Sequence, residues 1–259
     1  MYSIFDSHCH LQDERFVGSI DVVLERAREK GVNAMMCCGT REKDWPRVLE
    51  LSVHRGVFLS LGLHPWFIAE RSPLWYDNLK SLLKMYTKAG VGEIGLDNAI
   101  PDPDMDAQED IFISQLRLAR EMRRPVSIHC RKAFGRLVKI LKNEGRVSYG
   151  GILHSYSGPE ELVRIFEQSG LSISFSGAIT YSNNKRAHAA LLAVSPDNLL
   201  IETDSPAMHP SGIASNEANE PGNLTIILEE ISRLAGLTQY EVAALIRNNA
   251  CRVFGNFKT

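Results

Sequence analysis

Residues able to bind metal recur in this chain at the ends of short apolar runs. The first run leads into Asp6-Ser7-His8-Cys9-His10, where side chains of an extended strand alternate in direction. His8 and His10 therefore face one side and Cys9 the other. Glu93 lies inside Val91-Gly92-Glu93-Ile94-Gly95-Leu96-Asp97, an otherwise apolar stretch in which a carboxylate is costly to bury unless paired or metal-bound. Later runs end in His129-Cys130-Arg131, in His154 and in Glu202-Thr203-Asp204. Any one of these alone reads as a hydrogen-bonded core histidine or a helix-capping aspartate. Together, His8, His10, Glu93, His129, His154 and Asp204 supply four imidazoles and two carboxylates.

One tetrahedral catalytic zinc uses three protein ligands, so six donors suit two cations better. The expected arrangement has Glu93 bridging two divalent ions, with His8, His10 and Asp204 on one and His129 and His154 on the other. A nitrogen and oxygen set without sulfur admits Zn, Mn, Fe, Co or Ni, whereas Ca or Mg sites use fewer imidazoles. Two such cations about 3.5–4 Å apart make water a nucleophile at neutral pH. Asp204 is expected to act catalytically as well, accepting the proton of that water.

Further polar residues follow the same runs. His64, beside Pro65 and Trp66, is a candidate to hydrogen-bond a substrate or protonate a leaving oxygen; otherwise it caps a turn. Arg131 shares strand parity with His129, so its fork could grip a phosphate, or pair with Glu93 or Asp97. Trp66, Tyr156 and Tyr181 offer aromatic faces for a base or for packing. Glu202 is placed behind the ligands, and His54, His188 and His209 at the surface.

The elements that would hold these residues recur about every thirty positions. Eight candidate strands begin at Tyr2 (to Phe5), Ala34 (to Cys38), Val57 (to Leu63), Val91 (to Leu96), Pro125 (to Ile128), Gly151 (to Leu153), Leu171 (to Phe175) and Leu199 (to Ile201). Helical periodicity lies between them. Ile20, Val23, Leu24 and Ala27 form one apolar stripe, and Gly31 can close that helix in a left-handed conformation. Asp106 and Glu109 suggest a capping box ahead of Phe112, Leu116, Ala119 and Met122; Thr238 and Glu241 suggest another ahead of Val242, Leu245 and Ile246. The reading is an α/β chain forming a (β/α)8 TIM barrel with an additional C-terminal helix, in one domain spanning residues 1–259. An open doubly wound sheet is disfavoured because no G-x-G-x-x-G or P-loop follows any strand.

Composition agrees with a globular chain: 259 residues, 44% hydrophobic and 23% charged. No apolar run approaches the roughly 18–20 residues a bilayer demands, so neither a spanning helix nor a signal peptide is expected, and the chain is read as cytoplasmic. Five cysteines without a C-x-x-C pair read as reduced thiols. A net charge of -2 provides no long-range attraction for nucleic acid, so any polyanion depends on a local patch.

The motifs resemble those of TatD-type metal-dependent hydrolases in order along nearly the whole chain: His8-Cys9-His10, Gly62-Leu63-His64-Pro65, Gly92-Glu93-Ile94-Gly95-Leu96-Asp97, His129-Cys130-Arg131, His154-Ser155-Tyr156-Ser157-Gly158, Glu202-Thr203-Asp204-Ser205-Pro206, Asn219-Glu220-Pro221 and Asn249-Ala250-Cys251-Arg252-Val253-Phe254. The resemblance implies a TIM barrel, a divalent-metal centre and hydrolysis of DNA phosphodiesters, with DNA ends or short oligonucleotides as substrate. No membrane and no obligate protein partner are implied. The alternative is an amidohydrolase-like esterase or lactonase, or a phosphoesterase acting on a small molecule. Two departures bear on substrate. Asn98-Ala99-Ile100, followed by Asp102, Asp104 and Asp106, stands where members commonly carry a Tyr and an Arg, and Pro206 to Asn219 lacks their basic residues. Both remove candidate phosphate contacts.

Overall fold

The computed structural model describes residues 3–214 and 216–255. Strand and helix alternate: β1 (Ile4–Cys9), α1 (Ile20–Glu29), β2 (Val32–Cys38), α2 (Trp45–Glu50), β3 (Val57–Leu61), α3 (Trp75–Met85), β4 (Gly90–Asp97), α4 (Met105–Met122), β5 (Val126–Arg131) and α5 (Phe134–Glu144). The series continues with β6 (Gly151–Leu153), α6 (Val163–Gln168), β7 (Ser172–Phe175), α7 (Lys185–Ala193), β8 (Leu199–Ile201), α8 (Leu224–Ala235) and the additional α9 (Gln239–Phe254). Each strand pairs in parallel with the next, giving the order β1 to β8. The first and last strands approach across the seam, where Ser7 Oγ donates to the Ile201 carbonyl at 2.9 Å. Just beyond, Asp204 N donates to His8 O at 3.0 Å and His10 N to Ser205 O at 2.7 Å. The result is the expected TIM barrel, whose functional end is formed by the loops after the strands.

Burial explains the apolar runs. A parallel sheet wrapped by helices is covered on both faces, and every residue of β1 and β4 is buried. The helices present stripes, such as Val23, Leu24 and Ala27 of α1. Gly31 follows α1 at φ +84°, and the Thr238–Glu241 box caps α9 with both reciprocal hydrogen bonds. Cys9, Cys37, Cys38, Cys130 and Cys251 are unpaired thiols.

Some boundaries differ from the sequence pattern. Tyr2, where the first strand was expected to begin, lies outside the described residues. That strand runs on to Cys9, past the apolar signal at Phe5, because its polar residues find partners inside the barrel: Asp6 accepts from Thr203 N at 2.9 Å and from Thr203 Oγ1 at 2.5 Å. The cap of α4 is Asp104 and not Asp106; the Asp104 side chain accepts from Ala107 N, leaving Asp106 in the first turn. No helix among the described residues is long and apolar enough to cross a membrane.

Candidate metal centre

Four strands and the segment after β8 bring the predicted ligands to one point at the C-terminal end of the barrel. The alternation of β1 sets the Nε2 atoms of His8 and His10 3.2 Å apart. Glu93 enters from β4, His129 from β5, His154 from the end of β6 and Asp204 from just beyond β8. Gly95 makes this approach possible. It lies opposite His129 in the β4–β5 register at φ +148°, and a Cβ there would strike the His129 carbonyl.

Glu93 divides the cluster between its two oxygens. Oε2 lies 3.4 Å from His8 Nε2 and 3.4 Å from His10 Nε2, while Oε1 lies 3.0 Å from His129 Nδ1, 2.8 Å from His154 Nε2 and 3.2 Å from His64 Nε2. Asp204 Oδ1 joins the first group, 3.3 Å from His10 Nε2 and 3.9 Å from His8 Nε2. Three triads are close enough to hold an ion: His8, His10 and Asp204; His8, Glu93 and His154; and His64, Glu93 and His129.

The other nitrogen of each imidazole is engaged away from the centre. His10 Nδ1 donates to the Cys38 carbonyl at 2.8 Å, and His8 Nδ1 lies 2.7 Å from Ser127 Oγ. His154 Nδ1 meets Glu202 Oε1 at 3.1 Å, and His129 Nε2 meets Asp97 Oδ2 at 3.1 Å. Outer partners of this kind fix the tautomer and turn the free lone pair inward. The inward nitrogens then crowd one another, with His129 Nδ1 and His154 Nε2 3.1 Å apart. Lone pairs so close need protons or a cation between them, and the oxygen and nitrogen donors suit a divalent metal.

Electrostatics points the same way. Burial pushes the Glu93 carboxyl up, but His64, His154, His8 and a hydrogen bond from His129 outweigh it and hold Glu93 well below the usual carboxylate range. Burial pulls His10 down, yet Asp204 and Glu93 raise it to about 9; His154 is likewise raised by Glu93 and Glu202 against burial. Against burial, Asp97 and Glu93 raise His129 as well, so the Glu93 and Asp204 carboxylates, both held low, face three imidazoles that favour protonation, and metal binding would displace such protons.

His64 differs from the other rings. Its Nδ1 accepts from Trp66 N at 3.1 Å, so the proton of the neutral ring resides on Nε2 and points at Glu93. Burial lowers its pKa to about 4, keeping it a neutral donor.

These residues open into a cleft of about 700 Å³, which His10, His64, Glu93, His129, His154 and Asp204 all line. Arg131 is exposed at the last position of β5 and does not line it. Trp66 borders the cleft and is 52% exposed, whereas Tyr156 is buried against Phe134 and Phe166, and Tyr181 lies outside with its hydroxyl on the His209 carbonyl. The outer histidines, expected at the surface, are all half-buried: His54 faces Asp21 at 3.6 Å, His188 lies on the Ile179 carbonyl and His209 on the Glu217 carbonyl. Sequence reasoning missed the outer partners Ser127 and Asp97 and the cleft cations Arg15, Arg41, Lys43 and Arg47. Arg41 and Lys43 lie in the loop between β2 and α2 and Arg47 on α2 itself, and in a barrel the loop after a strand belongs to the functional end.

The profile of the TatD related DNase family matches residues 5–255. The chain belongs to the TatD family. Among its relatives, the metal-dependent hydrolase YabD of Bacillus subtilis is 31% identical over 255 residues, covering 97% of this chain and 98% of YabD. YcfH of Escherichia coli, also a metal-dependent hydrolase, is 30% identical over 255 residues, covering 97% and 95%. The crystal structure of YjjV, a TatD homologue from Escherichia coli, superposes with a TM-score of 0.93 at 29% identity over 98% of each chain. This TatD-family chain is accordingly a metal-dependent hydrolase.

Proposed function

We propose that the chain hydrolyses phosphodiesters, with DNA ends or short oligonucleotides as substrates, and that two divalent ions drawn from Zn, Mn, Fe, Co and Ni serve the reaction. His8, His10 and Asp204 would hold one ion, His129 and His154 the other, and Glu93 would bridge them. The observation that carries this reading is the division of Glu93, whose Oε2 faces one group of donors and whose Oε1 faces the other. When bound, the cations supply an acidified water and a positive field for phosphoryl oxygens.

The chain's own residues do the rest. Asp204, ionised and open to the cleft, accepts the proton of the attacking water. His64, neutral with its proton on Nε2, can donate a hydrogen bond to the phosphate or to the departing oxygen, but at a pKa of about 4 it is not the acid that protonates it. The buried outer partners hold the rings in place throughout, so little reorganisation is needed during reaction.

A substrate panel on the metal-reconstituted protein tests this: bis(p-nitrophenyl) phosphate, single-stranded and duplex oligonucleotides, aryl esters and lactones. Turnover of the phosphodiesters, abolished by chelation and restored by metal, is expected. Turnover of esters or lactones with none of any phosphodiester would overturn the assignment.

A further inference from the structure

The segment after β2 forms one wall of the cleft and is tied directly to the metal centre. Glu93 N donates to the Gly39 carbonyl at 2.9 Å, and His64 N donates to the Thr40 carbonyl at 2.8 Å. Asp44 closes the segment on itself, accepting from Thr40 N at 3.0 Å, Thr40 Oγ1 at 2.6 Å and Arg41 N at 3.3 Å. The Asp44 carboxylate is thereby engaged with its own loop.

The cations on that cleft are not equally occupied. Arg15 is gripped by both oxygens of Asp13, at 2.8 and 3.0 Å. Arg41 reaches Glu70 at 3.2 Å and lies over the Phe67 ring, 4.4 Å from its centroid. Lys43 and Arg47 also line the cleft, and among the described residues their side chains make no hydrogen bond or ion pair. Glu14 shares the cleft wall and pairs with neither. Arg47 Nε is enclosed by protein and has no partner. That nitrogen is shut off from the cleft by protein, so what Arg47, half-buried on the cleft wall, can offer a ligand is the outer end of its fork.

We infer that Lys43 and Arg47 form an anion subsite for a phosphate ester flanking the scissile bond. The inference rests on the phosphodiesterase reading above and gives that activity a preference for substrates with at least one further phosphate. A guanidinium fork and a lysine point charge together are typical phosphate donors. A cleft of about 700 Å³ holds more than the reacting group alone. Trp66 borders the same cleft with its ring oriented by a 2.7 Å bond from Nε1 to Asp97 Oδ2, which offers a base a fixed face. Arg131 does not line this cleft, whereas Lys43 after β2 and Arg47 on α2 do.

The flanking phosphate can be a terminal monoester or the next internal diester of a strand. Four substrates separate these sources: dTpdT, 5′-phosphorylated pdTpdT, 3′-phosphorylated dTpdTp and the trinucleotide dTpdTpdT. For the wild-type, metal-loaded protein, at least one flanking phosphate should raise kcat/KM over dTpdT about tenfold, through KM with kcat little changed. That ratio should collapse toward one in Lys43→Ala and in Arg47→Ala, and recover in Lys43→Arg. Lys43 is exposed, so its substitution leaves the packing intact even if Arg47→Ala disturbs the loop. Cleavage of all four substrates with no preference, or a preference that survives both substitutions, would refute the subsite while leaving the phosphodiesterase assignment standing. If none is cleaved, that assignment fails, and calorimetric binding of pdTpdT, dTpdTp and dTpdTpdT against dTpdT still reads the subsite: about tenfold tighter binding, lost in Lys43→Ala, supports it, and equal binding refutes it.

Discussion

Glu202 is fully buried and touches the centre only through His154, which makes Glu202→Gln a clean probe of how outer partners tune a ligand. Its Oε1 accepts from His154 Nδ1 at 3.1 Å and from Ser155 N at 2.6 Å, while Ser7 Oγ donates to Oε2 at 3.4 Å. Glutamine is nearly isosteric. With its carbonyl in place of Oε1 it keeps both acceptor contacts, and its amide faces Ser7; what it removes is the negative charge. A hydrogen bond to a charged group contributes about 1.5–3 kcal/mol, against about 0.5–1.5 kcal/mol for a neutral pair. The difference of roughly 1–1.5 kcal/mol corresponds to about tenfold in affinity, the lower end of the 10–100-fold range for loss of an outer partner. Calorimetric titration of Zn or Mn into chelator-treated protein should therefore show one ion binding about tenfold or more weakly in the variant, with the other little altered. Circular dichroism should show an unchanged fold. Equal affinities for both ions in wild type and variant would refute the claim that Glu202 acts on metal through His154.

Three other outcomes are expected. Asp204→Asn keeps a carbonyl oxygen for the metal but cannot accept a proton, so turnover should fall about 10²–10⁴-fold with metal content nearly retained; a near-normal rate would leave Asp204 a ligand only. Burial pushes Asp97 up, but hydrogen bonds from His129, Trp66 and Ala99 hold it at about 2, below its ordinary 3.8. Its stabilisation is therefore fully present above about pH 4 and lost as pH falls toward 2, so urea midpoints of chelated wild type and Asp97→Asn should converge over that window; a gap independent of pH would contradict this. Gly95→Ala would drive a Cβ into the His129 carbonyl at a φ that L residues avoid, costing about 3 kcal/mol or more. At roughly 2–4 °C per kcal/mol, the melting point should drop about 6–12 °C, while Gly135→Ala, with nothing within 4 Å of its Cβ, should leave it unchanged or slightly higher.

The strands and the metal-binding residue types were legible because each polar ligand interrupts an apolar run at a fixed place in the βα repeat. His8 and His10 needed only the two-residue period of β1, and Glu93 only the cost of burying a carboxylate in β4. Tautomers were not legible. They depend on contacts across strands, such as Ser127 of β5 against His8 of β1, that no local pattern encodes. The parity of Arg131 was readable, but its exposure at the last position of β5 was not, since parity says nothing about where a strand clears the rim. Arg41 and Lys43 sit in a loop without periodicity and Arg47 on the short helix α2, and only the barrel topology assigns that segment to the cleft.

The bridged two-ion centre is tested most directly by an anomalous difference map of crystals loaded with excess Zn or Mn, alongside metal analysis of the same protein. Two peaks are expected, one against His8, His10 and Asp204 and one against His129 and His154, with Glu93 reaching both. A single fully occupied peak under excess metal would contradict the bridged centre.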